Sequence, residues 1–347
     1  MLQSDQVAGN DKPKKLNNMK KVSVVISNTN TRDVLNECLT NLVHLADDLN
    51  QNIEIIVVDN KSVDGSADMV KNSFPSVKLI STPNFGLANG CNKGAKASTG
   101  EYLLFLGEDG FPNEQTIPGL ISYFEEHPEV GLATAKLLLR DGTPDMDVHR
   151  RFPTPLSAFS RLFMLSKIFP KSKKLNSYFM NDMDHSTEHE IEMCITHFMF
   201  IPKRVFNEIN GFDDQNYFVY GEDADICYKI KEHGYKLMYL PQFEAGHYKG
   251  VALGNRKESK DISKKTLAWK NFMNSNATRA QRVFIRKFLT KKYNRFTITA
   301  MILATYILEV QRSVAETIKH IKTQGLKNLN DEYTKLTKLV LQQRFEF

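Results

Sequence analysis

Residues 53–58, Ile-Glu-Ile-Ile-Val-Val, are apolar at five of six positions. A strand with one wet face alternates polar and apolar residues. A run like this one must be covered on both faces, the condition of a strand inside a parallel sheet. Three more β-rich runs lie around it, at 22–26, 77–80 and 102–106. Between them the spacing turns helical: Val34, Leu35, Cys38, Leu42 and Leu45 recur within 32–49, and shorter helices are expected at 66–73 and 87–98. Strand and helix in alternation build βαβ units. The chain is therefore expected to be an α/β protein with a mostly parallel central sheet flanked by helices. Such sheets take ligands at the carboxyl ends of their strands. The polar clusters 27–30, 59–66 and 107–109 all stand at such ends.

Beyond this half the pattern predicts a helix at 116–127, a strand at 130–139 and long loops over 140–190 with a helix near 156–168. A strand at 195–201, a helix at 203–209 and a helix at 223–233 follow. A last strand at 236–240 is expected to stop at Pro241. Residues 263–347 read as mostly helical. Residues 296–310 are apolar with threonines, short of the roughly 20 a membrane span needs, and Glu309 interrupts them, so a buried or interfacial helix is expected there.

Charge is uneven. Residues 255–347 hold 20 Lys and Arg against 7 Asp and Glu, while the rest hold 26 against 33, for a net +6. A basic tail suits an anionic partner, nucleic acid or an acidic membrane surface, and equally a solvated helical face. Trp269, Phe272, Phe284 and Phe288 among its basic residues suit either an interface or a core. Cys38, Cys91, Cys194 and Cys227 have no metal-ligand or redox spacing, so reduced thiols are expected. Residues 1–20 are polar and lysine-rich without an apolar core, and are expected to be a disordered tail rather than a signal peptide.

The chemistry concentrates in two carboxylate clusters. Strand 102–106 runs into Gly107-Glu108-Asp109, and the aromatic run 217–220 leads into Gly221-Glu222-Asp223-Ala224-Asp225. Hard cations want carboxylate oxygens, so one cluster can hold a cation on a diphosphate while the other takes a proton from an acceptor hydroxyl. Asp109 is the expected metal ligand, and His247, past the last strand, is a candidate second one. His149 and His197 are candidates for the acceptor side. Asp59-Asn60-Lys61-Ser62-Val63-Asp64-Gly65-Ser66 follows a buried strand and is either a ligand-binding turn or a plain Asx-rich βα turn. In Asn84-Phe-Gly86-Leu-Ala-Asn89-Gly90-Cys-Asn92-Lys-Gly94 the glycines fall four apart, which bares one helix face for a ligand or for close packing.

In this order, these motifs resemble the inverting family 2 glycosyltransferases of GT-A, Rossmann-like fold, over about residues 20–250. Arg150-Arg151-Phe152-Pro153-Thr154-Pro155 and the basic tail look like the rhamnosyltransferase branch of bacterial polysaccharide synthesis. The resemblance implies a GT-A domain at 21–254, after the tail expected at 1–20. Its nucleotide-sugar half would be 21–110 and its acceptor half 111–254, with a basic helical region at 255–347. It implies donor binding on Ser27, Asn30, Asp59, Asn60, Asn84, Asn92 and Glu108, with Asp59 on the base. Mg²⁺ or Mn²⁺ would sit on Asp109 and His247, with Asp223 as general base. The donor would be a dTDP- or UDP-sugar, rhamnose-like, and the acceptor a glycan or lipid-linked glycan. The enzyme would be cytoplasmic, peripheral on the inner face of the membrane, with an anionic membrane surface as partner and no nucleic acid.

Three places depart from the pattern, one of them Glu108, which replaces a common Pro and offers a carboxylate in compensation. Gly107 stands where the branch often has Asn and other members have Asp, which removes a side-chain oxygen from the metal motif. Thr196-His197 stands where small residues are usual. Without a working metal motif, the alternative is a catalytically inactive nucleotide-sugar-binding protein.

Overall fold

The computed structural model describes residues 21–49, 52–163, 165–169, 172, 174–175, 178, 180, 183–249, 266–326 and 328–345. Residues 1–20 and 250–265, on which expectations were placed, lie outside them. The first half is the expected alternation. β1 (Val22–Asn28), β2 (Ile53–Asn60), β3 (Lys78–Thr82) and β4 (Tyr102–Leu106) pair in parallel in the order β3-β2-β1-β4. They are connected by α1 (Arg32–Asp48), α2 (Ser66–Ser73) and α3 (Leu87–Ala97). Leu35, Cys38, Leu39 and Leu42 of α1, at helical spacing, are fully buried. Each such leucine contributes roughly 1.5–3 kcal/mol by leaving water. The bare glycine face of α3 presses on β1: a Cβ at Gly94 would lie 2.2 Å from Val25 Cγ1, and one at Gly90 2.2 Å from Ser27 Oγ.

The second half mixes directions. β10 (Phe198–Pro202) enters antiparallel between β4 and β6 (Val130–Leu138). β11 (Lys236–His247) runs parallel to β6 and antiparallel to β5 (Gly110–Pro112) and β8 (His189–Glu190). β11 does not stop at Pro241. The ladder shifts register between Leu240 and Glu244, and a proline at such an irregularity has no ladder hydrogen bond to lose. The strand therefore reaches His247, which pairs with Gly110 and so stands beside Asp109. A separate two-stranded ribbon joins β7 (His149–Arg150) to β9 (Met193–Cys194). The helix expected at 156–168 is divided into α5 (Pro155–Leu162) and α6 (Leu165–Ile168). α4 (Thr116–Glu126), α7 (Lys203–Glu208) and α8 (Glu222–Glu232) fall within a residue or two of expectation.

The tail is helical: α9 (Leu267–Phe288), α10 (Arg295–Gln324) and α11 (Leu329–Phe345). Phe272, Phe284 and Phe288 are buried, with Phe284 and Phe288 packed on Tyr228 of α8, so these three belong to the core. Lys287 of α9 reaches Asp213 at 2.7 Å and Asp225 at 2.6 Å, which fastens the tail to α8.

Candidate active site

A cavity of about 1050 Å³ opens at the carboxyl ends of β1, β2 and β4 and reaches across to α8 and the tail. Its walls come from both halves of the sheet and from α9 and α11, which bring in Thr266, Trp269, Met273, Lys335 and Lys338.

On the first side, Ser27, Asn30, Asn60 and Asn84 line the cavity. Asn60 Nδ2 donates to Ser27 Oγ at 2.8 Å, joining two strand ends. Asn30 adopts φ 56°, and its side-chain oxygen accepts from Val63 N–H at 2.8 Å. Asp59 and Asn92 are not among the lining residues. Asp59 is buried and accepts from Asn28 Nδ2 at 2.8 Å and Ser62 N–H at 3.0 Å, so it shapes the β2–α2 turn. Asn92 exchanges two hydrogen bonds with the Phe212 backbone, at 2.9 and 3.0 Å, and ties α3 to the loop before α8. Gly86 needs its glycine: at φ 95° a Cβ would meet the Phe218 carbonyl oxygen at 2.1 Å. That carbonyl accepts from Leu87 N–H at 2.8 Å, so the loop before α3 closes onto the aromatic run before α8.

Glu108 and Asp109 also line the cavity, in the turn between β4 and β5. Asp109 is buried. His197 Nε2 stands 3.2 Å from its Oδ1, and His247 Nε2 stands 4.0 Å from its Oδ2. The two imidazoles stack at 3.8 Å between centroids and 29° between planes. Ligand atoms of Asp109, His197 and His247 all fall within 4.8 Å of one another. His247 Nδ1 meets Asp145 Oδ2 at 3.0 Å, an orienting carboxylate behind a ring nitrogen. Lys249 pairs with Asp145 and Asp147. Burial pushes His197 down to about 4. Burial and the neighbouring His197 lower His247 as well. Both rings are therefore neutral at pH 7, the state a metal requires of them. His197 Nε2 is buried and makes no hydrogen bond despite its approach to Asp109. A carboxylate, two neutral imidazoles and an unsatisfied buried nitrogen fit a divalent cation.

On the far side, Tyr220 (φ 67°) and Gly221 (φ 85°) turn the chain into α8 and bring Glu222 and Asp223 to the cavity wall. Asp223 Oδ1 accepts from Ala224 N–H at 2.8 Å. Burial raises its carboxyl, and the Arg150 guanidinium, also at the cavity wall, works against that rise. Glu222 is pushed up to about 8, first by burial and then by Asp223. Its Oε1 accepts from Thr196 at 3.3 Å, while Oε2 is buried without a hydrogen bond. Asp225 points away, to Lys287.

Asp145, Arg150 and the tail residues are the members that motif reading does not assign to this site, and His197, expected on the acceptor side, stands beside Asp109 instead. Asp145 lies 102 residues from the histidine it orients, in a stretch that reads as loop. His149 does not line the cavity; it is buried in β7, stacked on His185 at 4.7 Å.

Residues 23–209 match the profile of glycosyl transferase family 2. The chain is 28% identical over 236 residues to rhamnosyltransferase WbbL of Escherichia coli (strain K12), covering 65% of this chain and 83% of that one. It is 25% identical over 218 residues to N-acetylglucosaminyl-diphospho-decaprenol L-rhamnosyltransferase of Mycobacterium tuberculosis (strain CDC 1551 / Oshkosh), covering 58% and 68%. Among solved structures, the fold is similar to that of mannosyltransferase PcManGT from Pyrobaculum calidifontis, solved in complex with GDP-Man and Mn²⁺. The TM-score is 0.50 at 15% identity, over 95% of this chain and 84% of that one.

Proposed function

Because the chain belongs to glycosyl transferase family 2, we propose that it moves a rhamnose-like sugar, with inversion, from a dTDP- or UDP-sugar to a glycan or lipid-linked glycan acceptor. One observation carries the reading. A single cavity holds a carboxylate at the start of α8 and, opposite it, a buried carboxylate with two neutral imidazoles. The sugar and the lipid-linked acceptor are suggested by the relatives named rhamnosyltransferases.

In this reading Ser27, Asn30, Asn60 and Asn84 take the nucleotide end of the donor, and Asp59 fixes the turn beneath them. Asp109 and His247 hold Mg²⁺ or Mn²⁺, with Asp145 orienting His247. The cation, when bound, neutralises charge gathering on the departing diphosphate. Asp223 accepts the proton of the acceptor hydroxyl while that oxygen bonds to the anomeric carbon and the nucleoside diphosphate leaves on the opposite side. A carboxylate is a weak base at its ordinary value; burial strengthens Asp223 for the task.

The same reading extends to an anionic membrane surface. α10 is long and apolar enough to cross a membrane by length and composition. Its Met301, Ala304 and Leu308 are buried, and its Glu309 is paired with Arg282 of α9 at 2.9 Å, so we place it along a membrane rather than across one. Its other side exposes Phe296, Leu303, Ile307, Val310, Val314 and Ile318, from 83% for Phe296 to 48% for Ile307. α5, packed on α10, adds Leu156 and Phe159. Exposed Lys291, Lys292, Arg295, Lys319 and Lys322 flank the stripe, the pattern of an interfacial helix on anionic lipid.

The test is nucleoside diphosphate release from a panel of nucleotide sugars, with Mg²⁺ or Mn²⁺ and then with EDTA, on wild type and Asp223→Asn. Metal-dependent release from one donor, lowered about 10²–10⁴-fold in the variant, is expected. Binding of that donor without turnover on any acceptor would favour an inactive nucleotide-sugar-binding protein instead.

A further inference from the structure

Positions 107 and 197 are not independent. A Cβ on Gly107 would stand 1.9 Å from His197 Cε1 and 2.0 Å from its Nδ1. The two backbones are held together here, because Gly107 N–H donates to the His197 carbonyl at 2.9 Å beside the end of the β4–β10 pairing. Any side chain at 107 would therefore compete with the imidazole for one volume. The imidazole admitted there directs Nε2 at Asp109 Oδ1, 3.2 Å away, and that nitrogen is buried with no hydrogen bond. An unsatisfied buried ring nitrogen is costly, and a cation would satisfy it. His247 lies stacked against the same ring, with its own Nε2 on the Asp109 side.

We infer that His197 is a third ligand of the metal, that Gly107 is glycine to admit it, and that the resulting set of one carboxylate and two imidazoles favours Mn²⁺ and later divalent transition metals over Mg²⁺. The inference rests on the metal-dependent reading above and adds to it a ligand and a selectivity. Mg²⁺ demands oxygen donors and parts reluctantly with water, whereas imidazole suits transition metals. The turn has no side-chain oxygen at 107 to harden the set. In its place, 2.8 Å from where a Cβ at 107 would lie, stands the Nε2 of His197, delivered from just before β10.

The experiment is Mn²⁺ binding to the full chain in the presence of UDP or dTDP, followed by electron paramagnetic resonance with Mg²⁺ as competitor. Spin-echo modulation counts the coordinating imidazole nitrogens. The expected wild-type spectrum shows two, with Mn²⁺ held about tenfold or more tighter than Mg²⁺. His197→Ala should show one nitrogen and bind Mn²⁺ about tenfold or more weaker. Gly107→Asp alone should lose the two-nitrogen signal, because the new side chain displaces the ring. Gly107→Asp combined with His197→Ala should regain Mn²⁺ binding with one nitrogen and a narrowed gap to Mg²⁺. A wild-type spectrum with one imidazole overturns the inference and leaves the metal-dependent reading standing. No Mn²⁺ binding with either nucleotide overturns both. The wild-type spectrum answers the question even if His197→Ala fails to fold.

Discussion

Glu222 is a carboxyl that the folded chain keeps protonated near neutrality, at about 8 against an ordinary 4.5. Its consequence for stability has a definite sign. Below about 4.5 both folded and unfolded chains carry the proton. Between about 4.5 and 8 only the folded chain does, so stability falls as pH rises through that window. Glu222→Gln has no proton to lose. Its melting temperature should exceed that of wild type by more at pH 8 than at pH 5; a constant difference would show that Glu222 does not titrate this way. A second residue prediction concerns Gly86. Alanine there combines φ 95° with a 2.1 Å approach to the Phe218 carbonyl. Strain alone costs about 1–3 kcal/mol, so Gly86→Ala should lower the denaturation midpoint and weaken nucleotide-sugar binding in a titration. At this scale the sequence was informative where residues act locally. Asp109, Asp223 and His247 each close a strand or open a helix, and each reaches the cavity. Asp59 and Asn92 carry the right chemistry, but Asp59 turns to its own loop and Asn92 to the Phe212 backbone 120 residues away, since a side chain's partner is decided by packing. His197 reads from the sequence only as a candidate for the acceptor side, because its approach to Asp109 depends on the missing side chain of Gly107, and no spacing along the chain records that.

The elements that sequence shows best are those with long periodic runs. β1, β2 and β4 are buried on both sides of the sheet and α1 to α3 along one stripe, and that burial writes their pattern, while β3 is an edge strand buried only at Thr82. β5, β7, β8 and β9, at two or three residues each, are too short to carry a period. Pro241 reads in the sequence as the end of β11, and a register shift lets the strand continue past it to His247. One prediction belongs to the join between α8 and α9. Asp225 is fully buried and shares Lys287 with Asp213, with Lys229 3.6 Å away. Lys287→Met removes the nearest cation. The loss should approach the low end of the roughly 3–5 kcal/mol for breaking a buried pair, since Lys229 still compensates in part. Urea denaturation measures it, and an unchanged midpoint would mean that α9 is held by its phenylalanines alone.

For the molecule as a whole, the exposed stripe of α10 with α5 should act as one surface. In flotation, the protein is expected to rise with vesicles containing phosphatidylglycerol and to stay down with purely zwitterionic ones at moderate salt. Ile307→Glu with Val314→Glu should abolish flotation, leaving donor hydrolysis in solution unchanged. Flotation untouched by the pair would move the contact elsewhere, and concentration-dependent dimerisation lost in the variant would assign the stripe to a second copy. The position of the tail also bears on the life of the chain during synthesis. The last sheet strand ends at His247, but the cavity takes its remaining wall from Trp269 and Met273 on α9 and from Lys335 and Lys338 on α11. A nascent chain can thus complete its sheet, and with it Asp109, Asp223 and His247, while the pocket still stands open on one side. It gains the last part of that wall only after α11 has left the ribosome. On the function proposed above, the unfinished polypeptide would present a donor site that still lacks the tail's share of its wall.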